Sequence, residues 1–272
     1  MTRAVLTCFH NYTYMMDHKY YAPIFDYFMK NFKEVWYDEV DKLYILDSTW
    51  DAKFDDPKVE IIKVPDPSTR YYDVYKWFLP KVKEKYVMFM DNDMVVTRKG
   101  VVDSTFKKLD EGYDVVSIYD TIGKMMFEEL GMKSKFCPYW FAVKTATLMK
   151  FRYREWGPNM PEHETLGDLT MSMLGEGLKP FEIEEDKTDE GKGLGYYHIR
   201  NGSLAAYLLT TKHFGDVKTY KDYIKHQPAS ETLRLCTWYD KMGGDTTEIR
   251  NDLAEEVTRV NREIAGRYEE EN

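Results

Sequence analysis

The sequence predicts an α/β fold in which a mostly parallel sheet carries helices on both faces. Apolar segments of strand length alternate with amphipathic segments of helix length over the first half of the chain, as is typical of βαβ units. Three predicted strands end in polar residues, and ligands bind at such an edge of a parallel sheet. With 272 residues, 43% of them hydrophobic, the chain can bury a full core.

The predicted elements of the first half follow in the order strand, helix, strand, strand, helix, strand, helix, strand. The strands are short apolar runs, and the helices carry apolar residues at intervals of three and four. The strands comprise residues 4–9, 42–48, 59–65, 86–96 and 113–120, and the helices comprise residues 20–36, 71–86 and 101–112. Pro80 lies inside the second helix and is expected to kink it.

The end of the chain has helical character. Residues 247–272 are rich in helix formers, and their apolar positions recur at helical spacing: Ile249, Leu253, Val257, Val260 and Ile264. We therefore expect residues 216–272 to form a C-terminal helical extension that packs on the body of the protein.

Composition excludes some classes of protein. The formal net charge of −9 argues against a generally basic nucleic-acid-binding surface. No apolar stretch reaches the length of a membrane span, and no secretory signal follows Met1, so we expect a soluble, cytoplasmic protein. The three cysteines are odd in number and far apart, which favours reduced thiols over a disulfide framework.

The segment YVMFMDNDMVV, from Tyr86 to Val96, sets Asp91 and Asp93 one residue apart between two apolar runs. An acidic turn is one explanation, because Asp and Asn favour turns through local hydrogen bonds. However, carboxylates held in partly dry surroundings are costly unless a cation pairs with them. The pattern therefore favours a metal site at the edge of the sheet.

This segment resembles the D-x-D strand of nucleotide-sugar-dependent glycosyltransferases of the GT-A (Rossmann-like) fold, and the resemblance extends over about Ala4 to Thr210. The acidic pair ends a hydrophobic strand about ninety residues into a strand and helix array, as that fold requires. The resemblance implies a metal-dependent hexosyltransferase that moves a sugar from a nucleoside-diphosphate sugar, with UDP-sugar favoured, to an acceptor hydroxyl. It also implies a glycosyltransferase domain over residues 1–215, with a nucleotide-binding half to about 120 and an acceptor half from about 121.

A second stretch, Leu166 to Ile183, resembles the family segment in which an acidic residue opens a helix that ends at glycine. In many inverting members this segment reads x-E-D, and its Asp is the catalytic base. Asp168 matches that Asp, whereas Gly167 stands where Glu is usual. Asp168 also suits a helix N-cap, and the rival bases are its neighbours Glu162, His163 and Glu164.

The stretch YYHIRNGS, which begins at Tyr196, resembles the segment with the late histidine that completes the metal site in many members. His198 is the matching residue. The resemblance implies Mn²⁺ or Mg²⁺ bound by Asp91, Asp93 and His198. The alternative is a histidine packed in the core. Arg200 follows closely and suits contact with phosphate or sugar.

Contacts with the acceptor and the donor are also expected. Tyr139 and Trp140 suit stacking on a sugar face, with core packing as the alternative, and Glu162 is a further expected acceptor contact. Donor contacts are expected from nine residues: Thr7, Phe9, Asp47, Arg70, Asp73, Lys76, Asp91, Asn92 and Arg200.

Two other classes of protein stay open at this point. A nucleotidyltransferase uses a related sheet with paired acids, but it normally carries a glycine-rich, basic loop after the first strand, which CFHNYTYMMDHKYY lacks. A noncatalytic sugar- or metal-binding module would need neither the Asp168 segment nor a donor crevice. The acceptor also stays open among a glycan, a small molecule, a protein and a modified DNA base of the kind that phage enzymes glycosylate.

Overall fold

The structure is a computed structural model that describes residues 2–9, 18–47, 52–64, 78–119, 136–151, 167–184, 191–200 and 202–270. The chain divides into two compact units. The first consists of Met1–Tyr14 and Met29–His198, and the second consists of Met15–Phe28 and Ile199–Asn272. The domain division expected from the sequence, at residue 215, stays a prediction.

A seven-stranded sheet forms the centre of the first unit. Its strands are β1 (Arg3–Phe9), β2 (Lys42–Asp47), β3 (Val59–Lys63), β4 (Tyr86–Met90), β6 (Val115–Tyr119), β7 (Phe136–Lys144) and β8 (Pro180–Ile183). They lie in the order β3-β2-β1-β4-β7-β6-β8. The pairs among β1 to β4 and the pair β6–β8 are parallel, whereas β7 runs antiparallel to both β4 and β6. The predicted mostly parallel α/β sheet is confirmed.

The helices of the first half and the middle of the chain come next. They are α1 (His18–Asn31), which continues into a π-helical turn (Phe32–Trp36) and a 3₁₀ turn (Tyr37–Glu39), then α2 (Val101–Asp110), α3 (Thr145–Lys150) and α4 (Gly167–Gly175). The predicted helices over residues 20–36 and 101–112 are therefore confirmed.

Both faces of the large sheet are covered within the first unit. On one face, Leu148 of α3 and Leu169 of α4 join a buried cluster with strand residues such as Phe89. On the other face, the buried Phe106 of α2 stacks on Tyr86 of β4, with ring centroids 6.3 Å apart. The strands β1, β2 and β4 can be apolar along nearly their whole length because both of their faces are covered.

One predicted helix is only partly within the described residues and is wrong from residue 79 onward. Of residues 71–86, residues 71–77 fall outside the description, Phe78 is helical, residues 79–85 are turns or irregular backbone, and Tyr86 opens β4. Proline lacks the backbone N–H that a helix interior requires and its ring clashes with the preceding turn. Pro80 therefore ends helical structure here, rather than kinking a longer helix.

A short second sheet stands apart from the first. It consists of β5 (Met94–Val96) and β9 (Tyr196–His198), which pair antiparallel. The chain leaves the large sheet at the end of β4 and enters β5 after three residues. The predicted strand over residues 86–96 is thus two strands, and the acidic residues form the turn between them.

The second unit is helical. It contains α5 (Leu204–Phe214), α6 (Val217–His226), α7 (Ala229–Lys241) and α8 (Thr247–Glu270), and α8 packs against α6 and α7. Ile249 and Leu253 at the start of α8 are buried, whereas Val257, Val260 and Ile264 are 38–48% exposed. The predicted C-terminal helix is confirmed. Among the described helices, none combines the length and the apolar composition that crossing a bilayer requires.

Candidate metal-binding active site

The acidic pair lies where the large sheet ends. Strand β4 is buried along its whole length, and the backbone N–H of Met94 donates to the carbonyl oxygen of Asp91 at 3.1 Å to close the turn. Asp91 is half-buried and Asp93 is only 7% exposed. The two carboxylates therefore stand at the carboxyl edge of the parallel strands, where α/β sheets bind their ligands.

Strand pairing brings His198 to the same point from 105 residues along the chain. In the β5–β9 ladder His198 is the partner of Met94, which directly follows Asp93. Nε2 of His198 lies 3.1 Å from Oδ1 of Asp93. One ligand atom from each of Asp91, Asp93 and His198 lies within 4.8 Å of the others. The three residues predicted as metal ligands are thus brought together.

These side chains suit a divalent cation. Carboxylate oxygens are the preferred ligands of Mg²⁺ and Mn²⁺, and a neutral imidazole is a common ligand of transition metals. Two carboxylates this close, one of them almost fully buried, repel each other unless positive charge is nearby. An ion between them would relieve this repulsion, so the donor set fits the Mn²⁺ or Mg²⁺ that the sequence predicts.

Asn92, between the two acids, ties the turn to the neighbouring strand. Its Nδ2 donates to the carbonyl oxygen of Cys8 in β1 at 3.0 Å. Burial, followed by the negative charges of Asp91 and Asp47, raises the pKa of the Cys8 thiol well above its ordinary value. The thiol is therefore neutral, and its raised pKa reflects burial first and the two nearby carboxylates second. The contact of Asn92 with the nucleotide-sugar donor stays a prediction, and the sequence did not predict the hydrogen bond by which Asn92 braces the turn.

A backbone clasp holds the segment before β9 against the segment after β5. Thr97 donates from its N–H to the carbonyl oxygen of Gly195 at 2.8 Å and from its hydroxyl to that of Gly191 at 2.9 Å. Gly191 has a φ of +71°, and a Cβ there would lie 2.6 Å from the carbonyl oxygen of Tyr196. Only glycine fits this approach. The clasp therefore fixes where β9 begins, and with it the position of His198.

Aromatic residues of β7 pack beside the cluster. The Tyr139 ring lies against the His198 imidazole, with centroids 4.0 Å apart. Trp140 is fully buried, stacks on Tyr196 and donates from Nε1 to the hydroxyl of Thr105 at 3.2 Å. An acceptor contact at Trp140 would require this packing to change, so the acceptor roles stay predictions.

Three residues at the ends of β1 and β2 that are predicted to contact the nucleotide-sugar donor are buried. Asp47 is 1% exposed, forms an ion pair with Lys63, and accepts a hydrogen bond from the N–H of Ala52 at 3.1 Å. Phe9 is also buried, as is Thr7, whose hydroxyl has no hydrogen-bond partner among the described residues. Their donor-binding roles stay predictions.

Other predicted site residues are described only in part or not at all. Asp168 lies in the first turn of α4, but its side chain is outside the description. Arg200 belongs to the second unit, has a positive φ of 58°, and accepts a hydrogen bond at its carbonyl from Arg234 at 3.2 Å. Six further predicted site residues fall outside the described ranges: Arg70, Asp73, Lys76, Glu162, His163 and Glu164.

Comparison by sequence finds no similar family or curated protein, whereas comparison by structure finds similar solved structures. No protein-family model matches the sequence, and no curated protein matches it significantly. One similar solved structure is the mannosyltransferase PcManGT from Pyrobaculum calidifontis in complex with GDP-Man and Mn²⁺. It is 13% identical, has a TM-score of 0.48, and the alignment covers 94% of this chain and 79% of that one.

Two further structures show the range of similar proteins. Glucosyl-3-phosphoglycerate synthase from Mycobacterium tuberculosis, in complex with Mn²⁺ and UDP-Glc, is 16% identical with a TM-score of 0.47, over 77% of this chain and 78% of that one. The 4-diphosphocytidyl-2C-methyl-D-erythritol synthase from Anaerococcus prevotii is 11% identical with a TM-score of 0.45, over 68% and 88%. At these sequence identities and TM-scores, the alignments describe a similar path of the chain and carry no inference about the reaction. The inference about the reaction rests on the Asp91, Asp93 and His198 cluster instead.

Proposed function

We propose that this protein is a metal-dependent glycosyltransferase that transfers a sugar from a nucleoside-diphosphate sugar to an acceptor hydroxyl. The observation that carries the proposal is the convergence of Asp91, Asp93 and His198, with ligand atoms within 4.8 Å, at the carboxyl edge of a parallel sheet. Two carboxylates and an imidazole at such an edge suit an ion that faces a diphosphate. A UDP-sugar is the proposed donor.

Asp91, Asp93 and His198 would hold the ion. A bound divalent ion would offset the negative charge that develops on the leaving diphosphate as its bond to the sugar C1 breaks. The protein contributes a preformed ligand set, because the amide of Asn92 braces the acidic turn and Thr97 secures the start of β9. Little reorganisation is then needed when the ion and the donor bind.

We propose Asp168 as the base that removes the proton from the acceptor hydroxyl, which would give inversion at the sugar C1. The support is its place in the first turn of α4. That helix is anchored, because Leu169 and Met173 are buried in the core and the hydroxyl of Thr170 accepts a hydrogen bond from the N–H of Phe136 at 2.9 Å. A base on an anchored helix is held in register with the sheet.

The remaining assignments complete the proposal. Residues 1–215 would form the catalytic domain, with donor contacts from residues before about 120 and acceptor contacts after it. Arg200 would contact phosphate or sugar, and Glu164 and His163 are the alternative bases. The acceptor class is a glycan, a small molecule, a protein or a modified nucleobase.

A panel of nucleotide sugars tests the proposal. The protein is incubated with each donor and Mn²⁺, with EDTA and the Asp93→Asn variant as controls. Slow hydrolysis of one donor that depends on both Mn²⁺ and Asp93 is the expected result. Release of pyrophosphate from a nucleoside triphosphate would instead support a nucleotidyltransferase, and Mn²⁺ binding without turnover of any nucleotide would support a noncatalytic module.

A further inference from the structure

Two aromatic pairs join β7 to β9 side by side. Trp140 stacks on Tyr196 with ring centroids 4.8 Å apart and an interplanar angle of 27°. Tyr139, which precedes Trp140 in β7, lies against His198, which follows Tyr196 by two residues in β9. The ring centroids of this second pair are 4.0 Å apart, with an interplanar angle of 31°. The first pair is buried in the core, whereas the second includes a candidate metal ligand.

The buried pair fixes the backbone on which the second pair depends. Trp140 is the ladder partner of Met90 in β4 and donates its indole N–H to Thr105 of α2. Trp140 is therefore held by the sheet, by a helix and by Tyr196 together. Tyr139, which precedes it, is placed beside the end of β4, where Asp91 begins the acidic turn.

The geometry of Tyr139 restricts the His198 ring. The imidazole is in contact with the phenol ring on one face, and its Nε2 lies 3.1 Å from Oδ1 of Asp93. The terminal torsion of a histidine is soft, with two broad minima. Rotating the ring out of its plane would drive its edge into Tyr139 and would turn Nε2 away from the carboxylate.

We propose that Tyr139 is a positioning residue of the metal centre, which holds the His198 imidazole in the plane that directs Nε2 toward the ion. The inference rests on the proposed metal-dependent function and adds a residue that acts through a ligand. Groups that orient a metal-binding histidine commonly change metal affinity by about 10- to 100-fold when removed. A tilted ring contact is less directional than a hydrogen bond, so we expect about a 10-fold loss.

The test compares Tyr139→Leu with Tyr139→Phe, because phenylalanine keeps the aromatic face and leucine removes it. Mn²⁺ affinity is measured without a donor by electron paramagnetic resonance of the free ion. Tyr197→Leu is the matched control, since Tyr197 neighbours His198 in the same strand and successive side chains of a strand alternate between its two faces. Affinity should fall about 10-fold in Tyr139→Leu and stay within about 2-fold of wild type in the other two.

A second readout needs no metal. In the metal-free wild type, the ring protons of His198 should show cross-peaks to Tyr139 and a ring-current shift that Tyr139→Phe retains and Tyr139→Leu loses. The absence of these cross-peaks would overturn the inference. A Mn²⁺ affinity in Tyr139→Leu equal to that of the wild type would also overturn the inference, but it would not contradict the proposed metal centre. If the wild type itself binds no Mn²⁺, the proposed metal-dependent function fails as well. Mn²⁺ binding by the wild type therefore distinguishes a failure of the Tyr139 inference from a failure of the proposed function.

Discussion

Two clusters among the described residues combine carboxylates with a histidine, one in each compact unit, and they differ in the positive charge available to the carboxylates. In the first unit, Asp91, Asp93 and His198 bring three ligand atoms within 4.8 Å of one another. Over the described ranges of the chain, this is the one group of three such side chains close enough to share a metal ion.

The cluster of the second unit carries its own lysine. Nε2 of His213 lies 3.1 Å from Glu248, much as His198 lies beside its aspartate. However, Nζ of Lys212 is 2.7 Å from Asp252 and 3.1 Å from Glu248. This lysine pairs with both acids, so the cluster is an ion-pair network. Similar residue types thus have different surroundings: the second cluster carries its own lysine, whereas the composition of the first suits an added cation.

The largest expected effect is the loss of Mn²⁺ affinity when a carboxylate of the first cluster is neutralised. Asp93→Asn keeps the size of the side chain and removes its charge, so we expect at least about a 100-fold loss of Mn²⁺ affinity and of any Mn²⁺-dependent turnover. Because the mutation also relieves repulsion between carboxylates, the midpoint of thermal unfolding should not fall. Calorimetric titration with Mn²⁺ measures the affinity, and unchanged binding would exclude Asp93 as a ligand.

A smaller effect is expected from the clasp that positions His198. Gly191→Ala places a Cβ 2.6 Å from the carbonyl oxygen of Tyr196 at a φ of +71°. Gly177→Ala is the matched control, because Gly177 has a similar φ of +77° and no atom within 4 Å of the added Cβ. The shared left-handed strain costs about 1–2 kcal/mol in each variant.

The difference between the two glycine variants isolates the clash. Denaturant unfolding should show a further loss of about 1–3 kcal/mol in Gly191→Ala. Mn²⁺ affinity should fall only in that variant, since its clash displaces the start of β9. Equal losses of stability, with equal metal affinity, would show that the clasp does not position His198.

The smallest effect is expected in the second unit. Burial opposes the charge of Lys212, but its bonds to Asp252 and Glu248 outweigh burial and raise its pKa. The hydrogen bond from Lys212 is the largest cause that lowers the pKa of Glu248. The groups are partly exposed and screened by solvent, so Lys212→Ala should cost about 0.5–1 kcal/mol at neutral pH. Mn²⁺ affinity should not change.

The pH dependence of that variant has a definite sign. The pKa of Glu248 is lower in the folded state, so its pairing stabilises the protein above the unfolded-state pKa and is lost as pH falls through the folded-state pKa. The stability difference between wild type and Lys212→Ala, measured by urea unfolding, should therefore shrink on acidification. A difference that grows as pH falls would contradict the ion-pair account.

Local pattern was sufficient to predict strands β1, β2, β3, β4 and β6 and to identify the acidic pair, whereas β7 was not predicted as a strand. Strands β1, β2 and β4 are short apolar runs buried on both faces, and the position of Asp91 and Asp93 after such a run indicates a sheet edge. The helix predicted over residues 71–86 is wrong from residue 79 onward, because Pro80 lacks the backbone N–H that a helix interior requires, and apolar spacing alone does not register this.

Contacts set by register could not be predicted from spacing. Asp47 is paired with Lys63 because parallel pairing makes these two residues ladder partners. His198 could be identified from the family resemblance, but its distance from Asp93 depends on the pairing of β5 with β9. The bonds from Thr97 end on backbone carbonyls, which leave no trace in residue type except the glycine that the close approach requires.

Electron spin-echo modulation of bound Mn²⁺ tests whether Asp91, Asp93 and His198 bind a divalent metal ion. We expect one tightly bound Mn²⁺ with coupling to a histidine nitrogen. That coupling should vanish in His198→Ala and remain in His213→Ala, since His213 belongs to the ion-pair network of the second unit. Bound Mn²⁺ that lacks nitrogen coupling in the wild type, or that keeps it in His198→Ala, would contradict metal binding by these three residues.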